Sequence, residues 1–186
     1  MHLCHLLFAE SARYANAHDG NVSPYSLAGV PVLFSALRAL LIECNSGMFG
    51  KPPGDSEAAL QKLDGRNEVE FIRERYGLSR EVMEHLALLY EVRNEIVHPA
   101  HRPAGTRSNT PAYMEPLRRL GVLQSTGAES AADYTWSAQL QSHRLFRWAN
   151  EQIAHVAATV IDAHHANAEL AQMHKATYFR FNAPDA

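Results

Sequence analysis

An all-α fold is what the sequence predicts, on three observations. Apolar residues recur at helical spacing through most of the chain. Helix punctuation brackets those segments: Ser23-Pro24, Asn67 and Ser79 at starts, and Gly20, Gly77 and Gly121 at stops. Strand-like alternation is confined to Thr177-Tyr178-Phe179-Arg180-Phe181, too short to build a sheet.

The first expected helix covers residues 2–18, with Leu3, Leu6, Leu7, Tyr14 and Ala15 on one face. Ser23 then serves as an N-cap, with Pro24 in the first turn. From Tyr25 to Cys44 the chain is apolar almost all round, which marks a central helix or one shared between a core and a partner chain. Pro31 inside it predicts a kink or a late start. Gly47 to Asp55 reads as loop, and Ser56 to Leu63 as at most a short helix. Asn67, with Glu70 three residues on, predicts a capping box opening a helix to about Tyr76. Ser79 caps the next, long helix.

Beyond Pro99 comes a second loop, to Pro111, carrying His101, Arg102 and Arg107. A short helix follows, stopped by Gly121, and then a polar linker over 127–134. A long closing helix is expected over Ser137 to His164, with Leu140, Leu145, Trp148, Ile153, Val156, Val160 and Ile161 inward. The tail after His165 is weakly patterned.

The 186 residues suffice for one domain with a core that needs no staples. Its expected parts are a core over about 2–165, a loop insertion over about 47–64 and a C-terminal tail over about 166–186. A net charge of −3 argues against a broadly basic nucleic-acid coat and leaves room for a local basic cleft. Cys4 and Cys44 are too few for a disulfide framework or a thiolate zinc site and read as buried small hydrophobes. The start of the chain lacks the basic region of a signal peptide, and no run reaches the roughly 20 apolar residues of a membrane span. A cytoplasmic protein without a membrane association is the expectation.

The candidate functional stretch is Glu91-Val92-Arg93-Asn94-Glu95-Ile96-Val97-His98-Pro99. Val82, Leu86, Leu89, Tyr90, Ile96 and Val97 form an apolar stripe, and Arg93 occupies the position that continues it. A guanidinium in register with a buried face needs an anion, because an unpaired buried charge is expensive. Arg93 and His98 are five residues apart, so an ideal helix would point them roughly 140° apart. Pro99 changes this: the residue before a proline is pushed out of the α region, so the helix ends near His98 and frees its ring to turn back. Asn94, four residues before His98, is placed to hold one imidazole nitrogen.

The string Arg93-Asn94-Glu95-Ile96-Val97-His98 resembles the Arg-x4–6-His motif of the HEPN superfamily, including the polar residue that often follows the arginine. HEPN domains are small α-helical domains, often metal-independent ribonucleases. The apolar segment before the motif and the long helix after it are similar to the HEPN arrangement. The resemblance implies a HEPN-like helical bundle with a long C-terminal helix. It also implies RNA as substrate, a homodimer in which two motifs face one cleft, and a toxin or phage-defence role. A nucleotidyltransferase-type antitoxin is a frequent companion in that family.

In that chemistry the ribose 2′-hydroxyl attacks the adjacent phosphorus and gives a 2′,3′-cyclic phosphate and a 5′-hydroxyl. His98 suits proton transfer because imidazoles titrate near neutral pH. Arg93 suits the developing phosphorane charge because its fork matches phosphate oxygens. Asn94 would orient the site. Arg102 and Arg107 would track the RNA backbone, Tyr90 would stack on a base, and Glu43 would orient Arg93 as a supporting carboxylate.

Blander readings stand beside these. His98 can cap helix carbonyls, Arg93 can pair with Glu43 or Glu95, Tyr90 can be core, and loop arginines can be solvated. A non-catalytic HEPN-like module that binds nucleotide or protein is the alternative function. Eleven histidines invite a metal, but His98-x2-His101 and His164-His165 lack further ligands at the spacing of established motifs, so neither metal nor cofactor is expected.

Overall fold

The computed structural model describes residues 25–47, 56–65, 67–98, 110–123, 136–165 and 167–179. The fold is all-α, and no strand occurs among the described residues. The expected helix over 2–18, the Ser23-Pro24 start, most of the 99–111 loop and the 127–134 linker lie outside them.

Helix α1, Tyr25–Asn45, is the centre of the bundle. It packs most extensively on α7 (His143–His164) and also against α2 (Ser56–Gly65) and α4 (Arg80–Val97). Val30, Leu33, Phe34, Leu37, Leu40, Leu41 and Cys44 are all buried. The helix runs unbroken through Pro31, whose missing N–H removes one intrahelical bond. Leu27–Asn45 is long and apolar enough to cross a membrane by length and composition. Most of it is covered by this same chain, so burial against a second copy is not needed to explain its greasiness. Ile42 is its one large exposed apolar side chain among the described residues. Gly47, in the left-handed region at φ 81°, ends the helix.

The expected loop insertion is partly helical. Its second half forms α2, whose Ala59 and Leu63 are buried in the main core. A half-buried guanidinium anchors the turn that follows. Arg38 of α1 donates to Glu68 at 2.9 Å and to the Leu63 carbonyl at 3.3 Å, with Asp64 at 3.5 Å. Helix α3, Glu68–Arg75, opens as its cap predicts: Asn67 Oδ1 accepts from the Glu70 N–H at 2.9 Å. Ser79 does the same for α4, accepting from the Val82 N–H.

Helix α5, Met114–Arg119, is short, and Gly121 stops its turn with φ 68°. The closing helix starts later than its periodicity suggests. A short α6, Trp136–Gln139, precedes a break, and α7 begins only at His143. Ser142 makes the break. Its hydroxyl donates to the Val122 carbonyl at 2.7 Å and accepts from the Leu145 N–H, so it acts as an N-cap held from outside the helix.

The tail also departs from expectation. Ala168–Phe179 is a helix, α8, opened by Asn167 accepting from the Glu169 N–H and packed on α7. Thr177–Phe179, three of the five residues of the strand candidate, therefore belongs to a helix end. Alternation over so few residues does not outweigh a capped helix that can rest Ala171 on the core.

Candidate active site at the end of α4

Three local features deliver the site. Ser79 fixes where α4 starts, and its inward face buries Met83, Leu86, Leu89, Val92 and Glu95. This stripe drifts around the helix towards Val92 and Glu95, which leaves Ile96 half-buried and Val97 exposed. Pro99 sets where α4 ends. His98 is the C-cap, at φ −131° and ψ 68°, outside the helical region, and its N–H closes the last turn on the Asn94 carbonyl at 2.7 Å.

Arg93 lies within that last turn and His98 just beyond it. Both line one open depression of about 440 Å³, together with Tyr90, Glu91, Asn94 and Glu95. Arg93 is half-buried and His98 exposed, so solvent reaches both. The turn out of the helix brings the two side chains to one hollow, despite their divergent directions on an ideal helix.

Asn94 has a different role from the one its spacing suggests. Its Oδ1 accepts from Arg93 Nη1 at 2.9 Å, and its contact with His98 is through the backbone. A guanidinium one residue away, with no carboxylate partner among the described residues, takes the amide oxygen first. Arg93 is thus oriented by an amide rather than by Glu43 or Glu95. Glu43 is buried near the end of α1 and does not line the depression. Tyr90 fits both of its readings: it packs edge-on against Phe34 at 5.8 Å and still reaches the rim. Arg102 and Arg107 lie outside the described residues.

Glu91 also lines the depression, a residue that neither the apolar stripe nor the Arg–His spacing singles out. It was legible: Glu91, Asn94, Glu95 and His98 stand at i, i+3, i+4 and i+7, one face of a helix. Glu91 has no hydrogen-bond or ion-pair partner among the described residues. Neither signal singles out His85. Its Nδ1 meets Gln152 Oε1 at 3.0 Å, and its ring sits edge-on to Trp148 at 5.2 Å.

The histidine pairs do not assemble a metal site among the described residues. His164 is buried against Tyr76, its Nε2 lying 2.9 Å from the phenol oxygen, while His165 turns away to meet His174 at 2.7 Å. Burial lowers the pKa of His165 more than Asp162 raises it.

What the depression offers chemically is one cation with a planar fork, held by a neutral amide, and one solvent-facing imidazole. Two carboxylates share the lining. Comparison with known protein families, with characterised proteins and with solved structures returns no match.

Proposed function

We propose that the chain is a metal-independent endoribonuclease whose site is the depression at the end of α4. The observation that carries this reading is the convergence of Arg93 and His98 on one open hollow. Arg93 takes the non-bridging phosphate oxygens, where charge builds as the phosphorane forms. His98 exchanges a proton with the reacting oxygens. The P–O2′ bond forms, the P–O5′ bond breaks, the 2′ proton passes to a base and the leaving 5′-oxygen takes a proton from an acid.

One imidazole fills one of those two roles. The HEPN resemblance supplies the other through a second copy of the chain, so the proposed active form is a homodimer. A toxin or defence role, countered by a nucleotidyltransferase-type antitoxin, belongs to the same proposal.

The test is labelled RNA incubated with the purified protein and EDTA. Expected are fragments ending in a 2′,3′-cyclic phosphate, and a loss of about a hundredfold or more in both His98→Ala and Arg93→Ala with helix content unchanged. RNA left intact at micromolar protein would overturn it. A second reading is a non-catalytic nucleotide- or protein-binding module; Glu91 and Glu95 in the lining favour its protein-binding form, since carboxylates repel phosphate. That outcome would show ligand binding without cleavage.

A further inference from the structure

Beside the depression lies a second hollow, of about 540 Å³, between α4 and α5. Glu91 lines both, so the two adjoin at that residue of α4. The second hollow is mostly apolar, walled by Ala87, Leu88, Pro116 and Leu120, and Leu120 is 40% exposed. Its volume suits a ring-sized ligand.

Two ion pairs sit at its rim. Glu84 pairs with Arg80 at 2.6 Å and Arg119 with Glu115 at 3.2 Å. Arg119 pairs through Nε alone and keeps its Nη donors on the α5 side; on the α4 side, among the described residues, two acceptors are left over. One is the Glu91 carboxylate. The other is His85 Nε2. The tautomer that donates from Nδ1 to Gln152 Oε1 satisfies that contact and keeps a lone pair on Nε2. A hollow with apolar walls and acceptors as the spare polar groups of its α4 side is complementary to a flat ring that donates N–H bonds to that side.

We propose that this hollow binds a nucleobase bearing an exocyclic amino group, on a nucleotide next to the cleaved phosphate. Cytosine N4 and adenine N6 each offer two N–H bonds, and guanine offers N1–H beside its amino group. Uracil offers only N3–H, between two carbonyl oxygens that would face the carboxylate and the imidazole lone pair. The hollow therefore selects against uracil. His85 and Glu91 determine specificity and take no part in the bond changes. The link to cleavage rests on the ribonuclease reading; the base preference does not.

The experiment measures binding of short 2′-O-methyl oligo(C) and oligo(U), which lack the attacking hydroxyl, to the whole chain. Trp148 emission serves as reporter in a Trp136→Phe background. Oligo(C) is expected to bind about tenfold tighter than oligo(U). His85→Phe keeps the ring and removes the acceptor, and should bring the two within about twofold. Leu120→Glu, at an exposed wall position, should weaken oligo(C) about tenfold without loss of helix content. His98→Ala should leave the preference intact. Equal binding of the two oligomers, or a preference that survives His85→Phe, overturns the base subsite even if RNA is cleaved. A preference present with no cleavage of natural RNA overturns the ribonuclease reading alone. A Trp148 response to arginine amide with none to oligo(C) would mark the hollow as a site for a cationic peptide and overturn the proposal.

Discussion

The phenol of Tyr76 and the imidazole of His164, 88 positions apart, meet at 2.9 Å inside the bundle and join the end of α7 to the turn after α3. Asn45 extends the chain, donating to the same phenol at 3.2 Å and to the Leu41 carbonyl at 2.8 Å, while its own Oδ1 is buried without a partner. The network closes one end of the core with polar atoms, where each depends on its neighbours for satisfaction.

Burial pushes the Tyr76 phenol up to about 12, against the downward pull of the Asn45 hydrogen bond. A pKa raised on folding stabilises the protein below the ordinary value of about 10 and ceases to do so as pH climbs through the folded value. Stability should therefore fall between about pH 10 and pH 12, by an amount on the order of 3 kcal/mol from this group. Tyr76→Phe should lack that component when denaturation midpoints of the two proteins are subtracted. At neutral pH it should cost about 1–2 kcal/mol for the stranded His164 and Asn45 atoms. Parallel alkaline curves would refute the assignment.

Arg93 is held in the depression by the side-chain oxygen of Asn94. If the site cleaves RNA, Asn94→Ala should lower kcat about tenfold while KM changes little, since the guanidinium then samples other rotamers. Asn94→Asp keeps an acceptor in the same place and should retain most of the activity. Steady-state kinetics on one short RNA separates these outcomes; equal losses in both variants would mean that the amide does something other than hold Arg93.

Gly29 of α1 lies directly against the ring of Phe146 on α7. A Cβ built there would overlap the ring of Phe146, which is fully buried and has nowhere to retreat. Gly29→Ala should therefore destabilise by about 1–3 kcal/mol, despite the roughly 1 kcal/mol of helix propensity that alanine gains over glycine. Phe146→Leu on the same background should recover part of the loss, a reversal that chemical denaturation would register.

Helix α8 is tied to α7 by His165 against His174 and by Lys175 bound to both Asp162 oxygens, at 2.7 and 2.9 Å. The imidazole contact needs one ring to donate and the other to accept, so it cannot survive protonation of both. Burial depresses the His165 pKa, with Asp162 opposing. A depressed value means stability present above the ordinary histidine range near 6.5 and lost as pH falls through the folded value. Amide protons of 168–179 should lose protection in mild acid while those of α1 and α7 keep theirs. His174→Gln, which retains an amide donor, should shift that loss to lower pH; simultaneous loss across all helices would contradict it.

Much of the fold was legible because its determinants are local. Asn67 with Glu70, Ser79, and Gly121 each act within a few residues, and each does what its type predicts. The late start of α7 was not legible, because the hydroxyl that breaks the helix is anchored by a carbonyl 20 positions away. Helix α8 was hidden for a different reason: its apolar residues follow no face, and Leu170 and Met173 are largely exposed. At the candidate site, the placement of Arg93 and His98 followed from local features: the Ser79 cap, the apolar face of α4 and Pro99. The partner of Asn94 did not, since spacing says which side chains can meet but not which of two rivals wins.

The arginine at position 38 constrains how this chain can be shortened. It touches α2 through the Leu63 carbonyl and the Asp64 carboxylate and α3 through the Glu68 carboxylate, so one guanidinium fastens three successive segments. Excising 47–64 as though it were a dispensable appendage would leave that charge half-covered against the central helix, with two of its three anchors gone. Trimming confined to 48–55 leaves the clasp whole, which makes that interval the natural place to graft a tag or splice in a foreign loop.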